Sequence, residues 1–275
     1  GVLQVSGSST FAVGYRVSGD SGIMIGASST PTTAGTVVTS GPLGRGTLWL
    51  DSGASLLQSS NYTVANPVAA SGDINLAGNG SVLTLNGSLT LAAGTTKITV
   101  VVPGMGATFG GTILGPAGGS LVKDGPGMLS LSGTNTLTGP LVVNRGVLSA
   151  GSDTALGPVP GTYNSASIVL NGGILQFSTA FTLSANRGIT LLADSGIYAN
   201  SGNGVLSSPI VESGGAKNLT IGGAGNYAPS GQSLYTGSTF LTAGSTVPVV
   251  SSVGAPGNLI SGPFGTGPLV LMGAQ

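Results

Sequence analysis

Paired carboxylates are the residues of this sequence whose type and spacing come closest to catalytic chemistry. Asp73 follows Asp51 at an offset of 22, and Glu212 follows Asp194 at an offset of 18. Two carboxyl groups that flank one bond are what hydrolysis of a glycosidic linkage requires. Seven acidic residues spread over 275 positions also give such spacings by chance, and turn residues or single surface charges explain them more simply. A polysaccharide-degrading enzyme is therefore the alternative hypothesis, and no catalytic residue is predicted.

The sequence contains neither histidine nor cysteine. A Ser-His-Asp triad, an imidazole or thiolate metal site and a disulfide framework are therefore excluded. The run Gly222-Gly-Ala-Gly-Asn226 is similar to a calcium-binding nonapeptide or a phosphate loop. However, Tyr227 stands where the calcium repeat needs an aspartate, and the lysine of the phosphate loop is missing. These residues are interpreted as turn glycines, and no metal or cofactor is expected.

Charge is scarce, because charged side chains make up 5% of the sequence, against about 25% in an average soluble protein. The seven basic and seven acidic residues balance, and no basic patch is present that would gather nucleic-acid phosphates. The longest apolar candidate for a membrane helix, residues 98–114, is interrupted by Pro103 and four glycines. Neither nucleic-acid binding nor membrane insertion of this segment is expected.

Aromatic and asparagine side chains offer two weaker signals. Trp49 and the scattered tyrosines have faces on which a sugar ring can stack, although packing against neighbouring chain is the favoured interpretation. Four Asn-x-Ser/Thr triplets match glycosylation acceptors and begin at Asn61, Asn79, Asn86 and Asn218. We interpret these asparagines as turn residues.

Short apolar alternations run through the chain. Examples are Ser81–Leu85, Lys97–Val100, Ser167–Leu170, Gly173–Phe177 and Gly188–Leu192. Each is bounded by glycine, proline, asparagine or serine, and no long stretch has helical spacing. The pattern predicts an all-β protein with many chain reversals, which 51 glycines and 15 prolines favour.

Internal repetition narrows the choice of all-β fold. Residues 3–7 align with 129–133 at an offset of 126, which places Phe11 opposite Leu137, and residues 219–237 align with 121–139 at an offset of 98. These aligned stretches are the first repeated motif, or box. A second box contains Leu43, Leu156 and Phe264, which follow one another at offsets of 113 and 108. Both boxes predict a tandem repeat of about 110 residues. The predicted repeat units are approximately residues 1–116, 117–214 and 215–275.

Such repetition favours a right-handed parallel β-helix, or β-solenoid, over a sandwich or a barrel. We expect one continuous solenoid over residues 1–275, with about 20 to 25 residues in each coil and about 12 coils. Each strand would pair with its equivalents about 4.8 Å above and below, giving a rod on the order of 60 Å long. Apolar side chains would point inward, and serine, threonine and asparagine outward.

The stretch Leu121-Val-Lys-Asp-Gly-Pro-Gly-Met-Leu-Ser-Leu-Ser-Gly-Thr-Asn-Thr-Leu-Thr-Gly139 resembles the passenger-associated transport repeat of bacterial type V secretion. The family pattern has an aromatic residue where this stretch has Leu137. The copy at 219–237 restores it as Tyr235 but replaces the lysine with Ile221 and the asparagine with Ser233. The residues predicted to carry the motif are Leu121, Lys123, Gly125, Gly127, Leu129, Leu131, Gly133, Asn135 and Gly139, and in the second copy Leu219, Gly223, Gly225, Gly231, Tyr235 and Gly237.

The resemblance implies a β-solenoid passenger outside a Gram-negative-type bacterium. The function it favours is a structural or adhesive rod or fibre segment at the cell surface, without catalysis. A passive stalk that presents an effector domain elsewhere in the protein is a further alternative. The expected partners are further coils of the same chain, stacked copies of it, and surface or polysaccharide contacts.

Two more expectations concern single positions. Lys123 and Asp124 are expected in a turn between strands, and Asn135 in another turn, because a serine replaces it in the second copy. Val2–Val5 and Pro268–Met272 are apolar strand segments, so we expect both ends to continue into another coil or a stacked copy.

Overall fold

The computed structural model describes residues 1–31, 37–92, 94–242, 252–255 and 258–273. The described residues form parallel β-solenoid coils, about ten in all, with about 23 residues in each. The predicted all-β class and parallel coiling are confirmed. The 110-residue repeat is not confirmed, and the right-handed sense and the three unit boundaries stay predictions. No helix in the described ranges is long and apolar enough to cross a membrane.

The chain divides into two compact units, Gly1–Gly139 and Pro140–Gln275. The strands of the first unit are β1 (Val2–Val5), β2 (Arg16–Val17), β3 (Gly22–Ile25), β4 (Thr30–Pro31), β5 (Val38–Ser40), β6 (Leu48–Leu50), β7 (Ser55–Gln58), β8 (Tyr62–Val64), β9 (Val68–Ala70), β10 (Ile74–Gly78), β11 (Val82–Leu85), β12 (Leu89–Leu91), β13 (Thr95–Val100), β14 (Gly106–Phe109), β15 (Ile113–Leu114), β16 (Ser120–Asp124) and β17 (Met128–Leu131).

Three parallel sheets form the walls of the first unit. The first sheet has the order β1-β3-β7-β10-β13-β16, the second β8-β11-β14-β17, and the third β2-β6-β9-β12-β15. Strands that are neighbours in a sheet belong to successive coils, so the backbone hydrogen bonds of one coil are satisfied by the next.

The strands of the second unit are β18 (Leu141–Val143), β19 (Val147–Ala150), β20 (Asn164–Leu170), β21 (Ile174–Phe177), β22 (Phe181–Leu183), β23 (Arg187–Leu191), β24 (Ser195–Ala199), β25 (Asn203–Leu206), β26 (Ile210–Glu212), β27 (Leu219–Gly222), β28 (Asn226–Pro229), β29 (Thr239–Thr242), β30 (Val253–Ala255), β31 (Asn258–Ser261) and β32 (Leu269–Met272), with a 3₁₀ turn at Thr154–Leu156. Its parallel sheets have the orders β18-β20-β23-β26, β19-β21-β24-β27-β29-β32 and β22-β25-β28.

Alternation along each strand builds the core. In β11, Leu83 and Leu85 point inward and are buried, whereas Thr84 between them is half-buried on the outer side. Leu85 pairs in register with Phe109 of the next coil, so apolar side chains stack in columns along the axis. Each fully buried leucine of this kind contributes about 1.5–3 kcal/mol relative to an exposed one.

Two antiparallel hairpins in the described ranges each lengthen one coil. The hairpin β4–β5 lies between β3 and β7, where Gly22 pairs with Ser55 at a sequence offset of 33. The hairpin β30–β31 lies between β29 and β32, where Thr239 pairs with Leu269 at an offset of 30. Both offsets exceed the usual coil length, because a hairpin lengthens its coil without adding another layer to the sheets.

Candidate functional site

The lysine of the predicted motif is a buried strand residue and not a turn residue, which corrects that expectation. In β16 Leu121 and Lys123 both point inward, and Lys123 has no accessible surface. Its Nζ donates hydrogen bonds of 2.8 Å to the backbone oxygens of Asp124 and Gly125. A buried ammonium group must donate its hydrogen bonds to protein atoms. Lys123 therefore ties down the chain where it turns from β16 towards β17.

The motif glycines lie where coils approach closely. Gly125 has φ +77°, a conformation that side chains rarely adopt. A Cβ atom on Gly133 would lie 2.3 Å from the carbonyl oxygen of Gly111 in the preceding coil. Equivalent atoms would meet neighbours within 2.6 Å at Gly127, Gly139, Gly223, Gly225, Gly231 and Gly237. These positions need glycine because another coil occupies the space of a side chain.

Asn135 bonds to a neighbouring coil, which corrects the expectation of a role confined to a local turn. Its side chain is buried, and Oδ1 accepts a 2.7 Å hydrogen bond from the backbone N–H of Ile113. Ser233 does the same in the second copy, because its Oγ accepts from the N–H of Ile210 at 3.0 Å. Serine can replace asparagine here because each supplies an acceptor oxygen to the adjacent coil.

The remaining motif residues line the interior. Leu129 and Leu131 are buried in the first copy, and Leu219 and Tyr235 in the second, where Ile221 takes the inward position of Lys123. The Tyr235 hydroxyl lies 2.5 Å from Thr239 Oγ1. Burial raises the pKa of Tyr235 above its usual value. These motif residues therefore build the core and set the spacing of the coils.

The aligned stretch near the start occupies a different sheet. Val2–Val5 pairs in the first sheet of its unit, whereas Met128–Leu131 lies in the second sheet. The offset of 126 therefore does not equal a whole number of coils. Phe11 is 37% exposed, whereas the aligned Leu137 is buried. The motif is thus a local unit that can begin on more than one face of the solenoid.

The two sequence boxes pair with each other, which the sequence did not reveal. Ser9 forms an isolated bridge with Gly41, and Arg45 N–H donates to the carbonyl oxygen of Phe11 at 2.8 Å. In the second unit, Ser233 bridges to Gly262, and Thr266 N–H donates to the carbonyl oxygen of Tyr235 at 2.9 Å. The hairpin β4–β5 ends just before Gly41, and the hairpin β30–β31 ends just before Gly262, so each hairpin directly precedes the second box.

Most carboxylates clamp one coil to the next. The side chain of Asp73 accepts from the backbone N–H of Lys97 at 2.8 Å, and that of Asp194 from the N–H of Asn218 at 2.8 Å. Glu212 accepts from the N–H of Thr236 at 2.9 Å. In all three cases the donor follows at a sequence offset of 24, which is one coil. A carboxylate one coil before a polar residue is a signal that sequence reasoning missed.

The carboxylates of the enzyme hypothesis have separate structural partners. Asp51 accepts hydrogen bonds from Arg16 Nε and a second guanidinium nitrogen, each at 3.0 Å. Asp73 lies 3.6 Å from Lys97 Nζ. The hydrogen bond from Arg16 holds the pKa of Asp51 below its usual value, whereas a general acid needs a raised pKa. The described residues contain no group of three or more acidic side chains that would hold a metal ion.

Three of the four triplet asparagines also serve coil contacts. Asn61 Oδ1 accepts from the N–H of Val82 at 2.7 Å, and Asn79 Nδ2 donates to the carbonyl oxygen of Ser59. Asn218 Oδ1 accepts from the N–H of Ser238 at 2.9 Å. These bonds link successive coils, a role that the interpretation as turn residues did not include.

Arg187 is a structural residue that the sequence did not single out. Its side chain is 3% exposed and donates from Nε to Asp153 Oδ1 at 3.0 Å. The other guanidinium nitrogens donate to the carbonyl oxygens of Leu156 and Gly157 at 3.2 and 2.9 Å. One buried cation thereby holds the whole 3₁₀ turn that follows β19. The sequence signal that could have indicated this role is an isolated arginine in a sequence with few charges.

Comparisons with known proteins agree with the motif. The family model described as passenger-associated-transport-repeat matches residues 121–150. The adhesin BmaC autotransporter of Brucella suis biovar 1 (strain 1330) is 33% identical over 171 residues, which is 61% of this chain and 5% of that protein. The chain thus spans a small part of the length of this curated relative. No solved structure matches the chain. The predicted resemblance is confirmed: residues 121–150 match the model of the passenger-associated transport repeat, and the chain is similar to an autotransporter adhesin.

Proposed function

We propose that this chain is a segment of an adhesive β-solenoid displayed on the surface of a Gram-negative bacterium, without catalytic activity. The observation that carries the proposal is the structural use of its scarce charges. Six carboxylates bond to cations or to backbone N–H groups, and these are Asp51, Asp73, Asp124, Asp153, Asp194 and Glu212. No observation favours the enzyme hypothesis.

The exterior suits a surface role. Outward positions carry serine, threonine and asparagine, as in the register pair Thr84 and Thr108. Such hydroxyl-rich ladders remain hydrated at any ionic strength because they do not depend on charge. The named adhesin among the relatives supports attachment as the role of such a segment. Further coils, stacked copies and surface polysaccharide are the partners we expect.

Two measurements test this function. Antibodies raised against the 275-residue chain should label intact bacteria that express the gene, and external protease should remove the label. Beads coated with the folded chain should adhere to cultured epithelial cells more than beads coated with heat-denatured chain. Unlabelled intact cells would overturn the surface location. Labelled cells with non-adherent beads would overturn adhesion and favour a passive stalk.

A further inference from the structure

Trp49 lies on the outer face of the third sheet in the first unit. In β6 it stands between Leu48 and Leu50, which are fully buried, so the alternation of the strand directs the indole outward. The side chain is 41% exposed. The indole is therefore a large aromatic surface that is partly open to water. The structure places Trp49 in a strand and leaves its indole partly buried on the outer face of the coil, so the expected packing against the coil stays a prediction.

The neighbours of Trp49 leave part of its ring uncovered. In the outward row of the sheet, Trp49 pairs with Arg16 on one side and with Ala69 on the other. Thr90 and Leu114 continue the row in the next two coils. Because Ala69 is small, the indole stands beside a depression of about 150 Å³, which Ser71 and Thr90 also line. We call this depression the Trp49 groove.

A fixed polar pair borders the Trp49 groove. Arg16 Nε and a second guanidinium nitrogen each bond to Asp51 at 3.0 Å, and Ser71 Oγ lies 3.4 Å from Asp51 Oδ1. Two parallel hydrogen bonds hold the guanidinium in one orientation. The pair carries no net charge, yet it presents donors and acceptors side by side. The hydrogen bond from the guanidinium lowers the pKa of Asp51.

We propose that the Trp49 groove binds one pyranose ring of an uncharged glycan. The apolar C–H face of the ring would stack on the indole, and adjacent hydroxyls would bond to the Arg16–Asp51 pair and to Ser71. This inference rests on the adhesive function above and names the class of its ligand.

Size and charge select this ligand. Sites for drug-sized molecules occupy roughly 300–1,000 Å³, so a groove of about 150 Å³ takes a single ring and leaves the rest of a polymer along the sheet surface. Asp51 already neutralises Arg16, so the negative charge of Asp51 would repel a carboxylated or sulfated sugar. An extended peptide needs an open sheet edge, whereas the groove lies on the face of a sheet.

Trp49 itself reports on the site, because the chain contains one tryptophan. We expect its fluorescence to change and to saturate on titration with at least one of cellohexaose, maltohexaose, chitohexaose and a β-galactan hexasaccharide. A hyaluronan hexasaccharide, which carries carboxylates, should give no saturable change. The proposal is overturned if none of the four neutral sugars binds, or if hyaluronan binds as tightly as the best of them.

Variants locate the binding, measured by saturation-transfer NMR so that tryptophan is not needed for detection. Trp49→Ala should weaken binding about tenfold or more. Ala69→Gln, which fills the groove and keeps the indole, should do the same. Leu114→Ala changes an exposed residue of the same outward row and should bind like the unsubstituted chain. Equal affinity of Trp49→Ala and the unsubstituted chain, both folded by circular dichroism, would overturn the proposal.

The bead assay separates the two proposals. Beads that adhere while no neutral sugar binds would overturn the groove proposal and leave adhesion standing. Sugar binding without bead adhesion would overturn the adhesive function and leave the site standing.

Discussion

At the scale of single residues, polar side chains act between coils. Asn135 and Ser233 each supply an oxygen to a backbone N–H of the preceding coil, and Lys123 satisfies carbonyl oxygens inside the wall. The sequence indicated that these positions matter, because Lys123 and Asn135 belong to the motif pattern. It did not indicate their partners, because a residue about 22 positions away becomes a neighbour only when the coil length is known.

Asn135→Ala should lower the free energy of unfolding by about 1–3 kcal/mol, because the buried N–H of Ile113 loses its acceptor. Asn135→Ser should cost less, since Ser233 makes this bond in the second copy. Urea denaturation followed by circular dichroism measures both. Equal losses for the two variants would show that the coil-to-coil bond is not the cause.

Two buried tyrosines predict alkaline instability. Burial raises the pKa of Tyr227 well above its usual value and that of Tyr235 above it. The folded state therefore keeps both phenols protonated, while an unfolded tyrosine ionises near about pH 10. The stabilisation is complete below that pH and is lost as pH rises towards the folded pKa values. Each tyrosine should lower stability by about 1.4 kcal/mol per pH unit above about pH 10.

Tyr227→Phe is the control for this pH dependence. The Tyr227 hydroxyl is buried and makes no hydrogen bond within the described structure, so its removal should not destabilise the protein near neutral pH. Urea denaturation from about pH 8 to about pH 12 should give a shallower decline for the variant. Identical declines would contradict the assignment to Tyr227.

At the scale of elements, the strands were predictable and their spacing was not. Period-two alternation identified strands such as Val82–Leu85 correctly. The hairpins β4–β5 and β30–β31 were missed, because short glycine- and proline-rich segments look alike whether they turn within a coil or leave it. The sheet change between Val2–Val5 and Met128–Leu131 was missed because coil lengths vary along the chain.

Gly133→Ala tests the close approach of coils. Its Cβ would lie 2.3 Å from a carbonyl oxygen, so the coils must separate, at a cost of about 1–3 kcal/mol. Gly7 is the matched control, because it aligns with Gly133 and nothing lies within 4 Å of its added Cβ. Gly7→Ala should change stability by less than about 0.5 kcal/mol in urea denaturation. Equal losses would contradict the role assigned to coil contact.

Arg187→Met tests the element held by a buried cation. It leaves Asp153 without its guanidinium partner and frees the carbonyl oxygens of Leu156 and Gly157. We expect a loss of about 3–5 kcal/mol and faster hydrogen exchange at Leu156. Arg16→Met, which breaks an exposed pair, should change stability little. Unchanged exchange at Leu156 in Arg187→Met would show that the turn holds itself.

At the scale of the whole molecule, repetition and composition predicted the β-solenoid architecture, because few other folds fit both of them. A chain with 51 glycines, almost no charge and short alternations does not favour long amphipathic helices, and its internal repetition favours stacked coils over a sandwich or a barrel. The Trp49 groove was not predictable, because an outward tryptophan becomes a site only when small residues lie beside it on neighbouring coils.

The central claim is that successive coils stack in parallel and in register, and disulfide trapping tests it most directly. The chain has no native cysteine, so any disulfide within it must join the two engineered cysteines. Thr84 pairs with Thr108, and Thr108 with Ser130. Neighbouring strands lie about 4.8 Å apart, within the range of a disulfide, whereas strands two coils apart lie at about twice that distance. Under mild oxidation, cysteines at 84 and 108 and at 108 and 130 should cross-link, and cysteines at 84 and 130 should not. Cross-linking of the 84 and 130 pair, or of neither adjacent pair, would contradict the solenoid.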